Sequence, residues 1–208
     1  MPAGGETVER VPRGTVIRTW LAREREKHDA PPPEGLTDRE VFDALLGENP
    51  GAAAFLWRDA PVTCYRLTLS RARFDRLHVV EGPSDLRWRA LSPKGTVRDC
   101  ARRIDRGDPR KLARETGVDV PDVERLARAP PTADPLVLST RRGAVPWHVA
   151  DGNHRAVAAA LAVERGATYD PLPAYLCVGA NPVLEPFVQR LRGLLGRVRS
   201  PWDISKTK

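Results

Sequence analysis

Ala150-Asp151-Gly152-Asn153-His154-Arg155 runs straight into Ala156-Val157-Ala158-Ala159-Ala160-Leu161-Ala162-Val163-Glu164-Arg165, and the reading of this passage decides the fold. Its alanine-rich half has the composition of a helix. Ahead of it, Ala144-Val145-Pro146-Trp147-His148-Val149-Ala150 is apolar and partly β-branched, the character of a strand. A polar cluster set where a strand turns into a helix is how chains build anion sites. The first helical N–H groups have no partner inside the helix and carry partial positive charge, which favours a phosphate or carboxylate there. His154 and Arg155 add side-chain donors at the same place.

The rest of the chain sets the bounds. At 208 residues it is long enough for one core with elaborations. No apolar run approaches the roughly 20 residues that cross a membrane. The first residues, Met1-Pro2-Ala3-Gly4-Gly5-Glu6, lack the basic-then-apolar order of a secretory signal, so a soluble, cytoplasmic protein without membrane contact is expected. Cys64, Cys100 and Cys177 are far apart, odd in number and in no metal-ligand spacing, and are expected to be reduced packing residues. The net charge of +7 rests on arginine, whose planar fork binds phosphate bidentately. A nucleotide or polyanion partner fits that charge, and so does a plain arginine-for-lysine bias, because acidic and basic residues interleave without a basic block.

Residues 1–60 read as a peripheral helical extension. Val16, Ile17, Trp20 and Leu21 fall at helical spacing within Thr15 to Lys27, and Pro31-Pro32-Pro33 breaks the run. Thr37 with Glu40 predicts a capping box opening a second helix that Asn49-Pro50-Gly51 ends, with a further short helix from Ala52 to Trp57. Residues 61–180 read as an α/β domain. Tyr65, Leu67 and Leu69 alternate with polar residues as a strand, Leu77 to Val80 is strand-like, and Thr96 caps a helix to Asp105. Leu136 to Leu138 and Pro146 to Ala150, joined by a turn at Arg141-Arg142-Gly143, predict a hairpin, and Leu172 to Val178 a last strand. Residues 181–208 carry Phe187, Val188, Leu191, Leu194, Leu195 and Val198 on one helical face, expected to pack on the core, and a tail.

Residues 109–128 have the spacing of a helix-turn-helix, with Ala113 and Gly117 allowing a close crossing and Val118, Val123 and Leu126 filling it. Asp119, Asp122 and Glu124 would oppose DNA phosphates, so a structural helical hairpin is the preferred reading over a DNA reader.

The order strand, turn, strand, Asp151-Gly152-Asn153-His154-Arg155, helix, Gly166, strand resembles the ParB/sulfiredoxin superfamily, with the likeness carried by residues 134 to 178. The resemblance implies a small mixed sheet with flanking helices and a nucleotide phosphate, from ATP, ADP or CTP, bound at the helix N-terminus. Sulfiredoxins place a reactive cysteine where this chain has Asn153, which is no sulfur nucleophile. CTP-dependent partition proteins usually carry a second arginine where His154 stands. The Asp-Gly-x-His-Arg pattern is closest to the free-serine kinases of the superfamily, which implies phosphoryl transfer to a small hydroxyl substrate.

Physical roles can be set beside that resemblance. Asp151 is suited to cap the helix or to hold a Mg²⁺ ion, Gly152 to admit the ligand, and Asn153 to orient a hydroxyl or phosphate. His154 and Arg155 are suited to neutralise charge on a transferred phosphoryl group. Each has a plainer reading as a cap, a core residue or an ion pair. The chemistry also needs a carboxylate to accept a proton. Glu81 is the first candidate, with Asp75 and Asp85 behind it, and His148 faces the same cleft if the strand alternates regularly. Three functions are thus in view: a nucleotide-dependent kinase or hydrolase, a DNA-binding regulator or nuclease, and an interaction module without chemistry.

Overall fold

The computed structural model describes residues 8–31, 34–54, 62–85, 87–130, 133–141 and 145–179. Their architecture follows from strands that are apolar on both sides. In β3 (Leu136–Arg141) and β5 (Pro173–Gly179), Leu136, Leu138, Ala174 and Leu176 face one way, while Val137, Tyr175 and Cys177 face the other. Because side chains alternate across a strand, such a pattern requires a helical layer on each face. The sheet runs in the order β1 (Glu9–Val11), β2 (Thr63–Thr68), β5, β3, β4 (His148–Asp151). Only the β3–β5 pairing is parallel; the others are antiparallel.

One face is covered by α1 (Arg13–Glu26) and α2 (Asp38–Glu48), whose Val16, Ile17, Trp20, Leu21, Val41 and Leu45 are fully buried beside Val137 and Tyr175. Residues 1–60 are therefore not peripheral as expected: within their described part, β1 extends the sheet and two helices close its face. Helical spacing shows that a segment is amphipathic, but not what its apolar side meets. The other face is covered by α5 (Val97–Arg106), α6 (Pro109–Thr116), α7 (Val120–Arg128) and α8 (Asn153–Glu164). The single turns α3 (Arg71–Phe74) and α4 (Arg87–Leu91) anchor that layer through Phe74, Trp88 and Leu91. The chain is thus mixed α/β among the described residues.

α8 lies against α5 and α7 and buries Ala156, Val157, Ala158, Ala160 and Leu161. Its alanines let neighbouring backbones approach closely. The helical hairpin appears as expected, α6 and α7 turning at Gly117 with φ 70°. Its apolar side, Leu112, Val118, Val120 and Val123, belongs to the core. Glu124 on α7 accepts from Arg165 at 2.7 and 2.9 Å, which ties the hairpin to the end of α8.

Several expectations are corrected. Cys64 and Cys177 are joined as a disulfide between β2 and β5, not reduced; they are register partners in that antiparallel pair, 113 residues apart in sequence. Linear spacing cannot reveal a cross-strand pair. Cys100 remains a free, buried thiol whose pKa burial pushes up to about 12. Leu77 to Val80 is extended but makes only isolated bridges, His78 with Thr96 and with His148. The strand expected from Ala144 starts at His148, after Pro146, which has no N–H to donate, and runs on to include Asp151. The short helix expected from Ala52 is a 3-10 turn, Pro50–Ala54; the rest of that segment, the turn residues Arg142 and Gly143, and the C-terminal helix expected within 181–208 lie outside the described residues. No described helix is long and apolar enough to cross a membrane.

Candidate functional site

The strand-to-helix junction is built on Gly152. Asp151 closes β4, Gly152 takes the left-handed conformation with φ 92° as N-cap, and α8 starts at Asn153. A Cβ at Gly152 would stand 2.7 Å from Leu136 Cδ2 and 2.8 Å from Arg155 Nη2, so both the turn and the packing demand glycine. No side chain caps the helix. The ladder begins with the Ala156 N–H donating to the Gly152 carbonyl at 2.9 Å, so the N–H groups of Asn153, His154 and Arg155 precede it.

Asp151 caps nothing. Its Oδ2 lies 3.4 Å from Arg155 Nη2 and 3.3 Å from Arg23 Nη1. Arg23 comes from α1, on the opposite face of the sheet, and its Nη1 also donates to the Pro135 carbonyl at 2.6 Å. Arg155 Nη1 donates to the Asp134 carbonyl at 2.9 Å. Arg23 Nη2 is buried with no hydrogen-bond partner among the described residues. Two guanidiniums and an open helix terminus therefore converge on the Asp151 carboxylate, with Asp134 acting on Arg155 as a second carboxylate. Burial lowers the pKa of Arg155, and the neighbouring charge of Arg23 lowers it further, the mark of two cations held together. This donor set does not fit a Mg²⁺ ion held by Asp151, because the two guanidiniums would repel it. Among the described residues no three His, Cys, Asp or Glu side chains gather as a metal site.

The other motif residues serve the frame. Asn153, 8 % exposed, donates from Nδ2 to the Val149 carbonyl at 3.1 Å and accepts from the Val80 N–H at 3.0 Å. Its amide pins the 77–81 segment to β4, which leaves it little freedom to orient a ligand. His154 turns its ring edge to face against Trp88, centroids 4.8 Å apart, and burial holds its pKa below the ordinary 6.5. It is a neutral ring at pH 7, with a buried Nε2 that finds no hydrogen-bond partner among the described residues, and not the cation expected beside Arg155.

Because Asn153 holds Val80, the next residue, Glu81, stands beside the first turn of α8. Its Oε1 lies 3.2 Å from His148 Nε2; the Glu81 side chain is 63 % exposed and that of His148 17 %. His148 Nδ1 faces the Val79 carbonyl at 3.2 Å. A carbonyl oxygen only accepts, so Nδ1 carries a hydrogen, and Nε2 with Glu81 forms a pair between which one further proton can be held. The His78 and His148 rings meet at 5.4 Å. Burial first, then the charges of His148 and Arg89, hold the His78 pKa down. Asp75 is engaged by Arg71 at 3.0 Å through both carboxylate oxygens, and Asp85 is exposed.

The sequence motif thus assembles as one cluster, with Glu81 and His148 brought beside it. Sequence reasoning missed Arg23 and His78. Arg23 is one of several arginines in an amphipathic helix, and nothing local distinguishes it. On the hairpin, Arg125 pairs with Asp122 and Arg128 with Glu124 within α7. Comparison with protein-family models, with curated proteins and with solved structures finds no match for this chain.

Proposed function

We propose that this chain binds the phosphates of a nucleotide at the N-terminus of α8 and transfers a phosphoryl group to the hydroxyl of a small substrate. The observation that carries the reading is the convergence of donors: Arg23, Arg155 and the uncapped helix start meet at Asp151, with Asp134 the further carboxylate acting on Arg155. An entering phosphate oxygen would accept from the N–H groups of Asn153 to Arg155 and would separate the charges of the two guanidiniums. Asp151 then acts as the positioning group that aims both arginines. The resemblance of the motif to ParB/sulfiredoxin-like nucleotide sites supports the same reading.

In the reaction, the hydroxyl oxygen of the substrate bonds to the terminal phosphorus as the bond from that phosphorus to its bridging oxygen breaks. The nucleoside diphosphate leaves, and the hydroxyl proton passes to the Glu81–His148 pair. Such transfers are governed by position and by charge on the phosphoryl oxygens, which is what Arg23 and Arg155 supply. The site's residues do not hold a metal ion through Asp151, so no step is assigned to one.

Calorimetry with ATP, ADP and CTP tests the binding step. At least one is expected to bind, and Arg155→Ala to weaken it by roughly 1.5–3 kcal/mol, the worth of a charge-assisted bond. Absence of binding by all three would remove the reading. Hydrolysis of bound nucleotide in preference to transfer, across a panel of hydroxyl compounds, would make water the acceptor.

A further inference from the structure

A cavity of about 470 Å³ is lined by Arg73, Asp75, Arg76, His78, Thr96, Val145 and Trp147, and His78 also meets the His148 ring. The volume falls in the range of small-molecule sites. Its cations come from one turn of chain: α3 and the residues after it continue in helical conformation, so Arg73 and Arg76 fall on one side while Phe74 is buried as the anchor. Arg73 lies over the Trp147 ring, 4.7 Å from its centroid, which fixes the guanidinium plane. Among the described residues neither Arg73 nor Arg76 has a carboxylate partner, because both oxygens of Asp75 are turned to Arg71. Val145, 81 % exposed, adds apolar surface to the lining.

We propose that this cavity binds the acceptor as a small anion, a hydroxyl compound carrying a carboxylate or phosphate group, held by Arg73 and Arg76 with its hydroxyl directed past His78 towards Glu81 and His148. The lining joins the Arg73 and Arg76 guanidiniums, with Asp75 held by Arg71, to apolar Val145, Pro146 and Trp147, which selects a short organic anion over a neutral alcohol. A planar guanidinium stacked on an aromatic ring presents two parallel donors, the match for either acid group. Its continuity with the reacting pair runs through the His78 and His148 rings. The bridge of His78 to both Thr96 and His148 holds that connection in place. This inference rests on the phosphoryl-transfer reading for its direction, and on the cavity alone for its ligand.

Calorimetry on the full chain with glycerol 3-phosphate, glycerate and glycerol tests it. At least one of the two anions is expected to bind and glycerol not to. Arg73→Gln and Arg76→Gln are each expected to weaken the anion about tenfold or more, whereas Arg155→Ala leaves it unchanged. Failure of both anions to bind, equal binding by glycerol, or anion binding that survives the Arg73→Gln/Arg76→Gln pair overturns the proposal. If the anions bind as expected while no nucleotide binds, the phosphoryl-transfer reading falls and the anion cavity stands.

Discussion

At the start of α2, Thr37 accepts from the Glu40 N–H, and Glu40 reaches back to the Thr37 N–H at 2.8 Å. Thr96, Asp108 and Asp119 likewise accept from the third residue of α5, α6 and α7, at 3.1, 2.6 and 3.0 Å. At the start of α8 the N-cap is a left-handed glycine with no side chain to offer, and two guanidiniums stand around it. The first four termini close their own donors and serve stability. The fifth has no side-chain cap, as α1 and α3 also have none, but only here do two guanidiniums gather at an uncapped start among the described helices, at the expense of a cap worth about 1 kcal/mol. What the contrast teaches is where this chain gives up local stability and keeps an electrostatic field instead.

The sharpest way to break the contrast is Gly152→Ala. It would force a left-handed φ on a residue with a Cβ and drive that atom against Leu136 and Arg155. We expect a loss of about 3 kcal/mol, from backbone strain and overpacking together, read as a lower denaturant midpoint. Gly117→Ala meets nothing within 4 Å and should lose about 1 kcal/mol. Equal losses would mean that the α8 junction carries no special packing.

Removing the cations separates field from fold. Arg155→Ala and Arg23→Ala should each weaken nucleotide binding by roughly ten- to a hundredfold. The effect of Arg23→Ala matters most, because α1 lies on the other sheet face and a purely structural role would lower thermal stability without changing affinity. Thr37→Ala supplies the converse: about 1 kcal/mol of stability lost by chemical denaturation, with nucleotide affinity unaltered.

The smallest expected effect concerns pH. The His154 pKa is held by burial below its ordinary value of 6.5, so between those two values the unfolded chain binds more protons than the folded one. Stability must therefore fall as pH drops through that window, and His78, lowered in the same direction, adds to it. His154→Phe keeps a ring against Trp88 and removes one of the two contributions. The melting temperature of this variant should fall less than that of the parent between about pH 7.5 and pH 5.5.

Much of this was legible in order along the chain. Thr37 with Glu40, Thr96 with Asp99, and Gly117 between two apolar runs are local signals, since a cap or turn is settled by residues three or four apart. The short apolar runs Leu136 to Leu138 and Leu172 to Val178 were equally readable as strands. Local reading failed where a contact spans the fold. Cys64 meets Cys177 because β2 and β5 are register partners, and Arg23 of α1 meets Asp151 at the end of β4 although the two are far apart in sequence. His154 was read as a charge because its neighbours are polar; Trp88, far away in sequence, makes its surroundings dry.

That a strand gives way to a helix at Asp151 to Arg155 is readable along the chain, because backbone conformation depends on near neighbours; that Asp151 leaves the helix opening uncapped is seen only in the fold. Only the tertiary structure decided what surrounds that opening. Charge balance is a sum over all neighbours in space, and here that sum includes Arg23 of α1, on the opposite face of the sheet, and Asp134, which acts on Arg155.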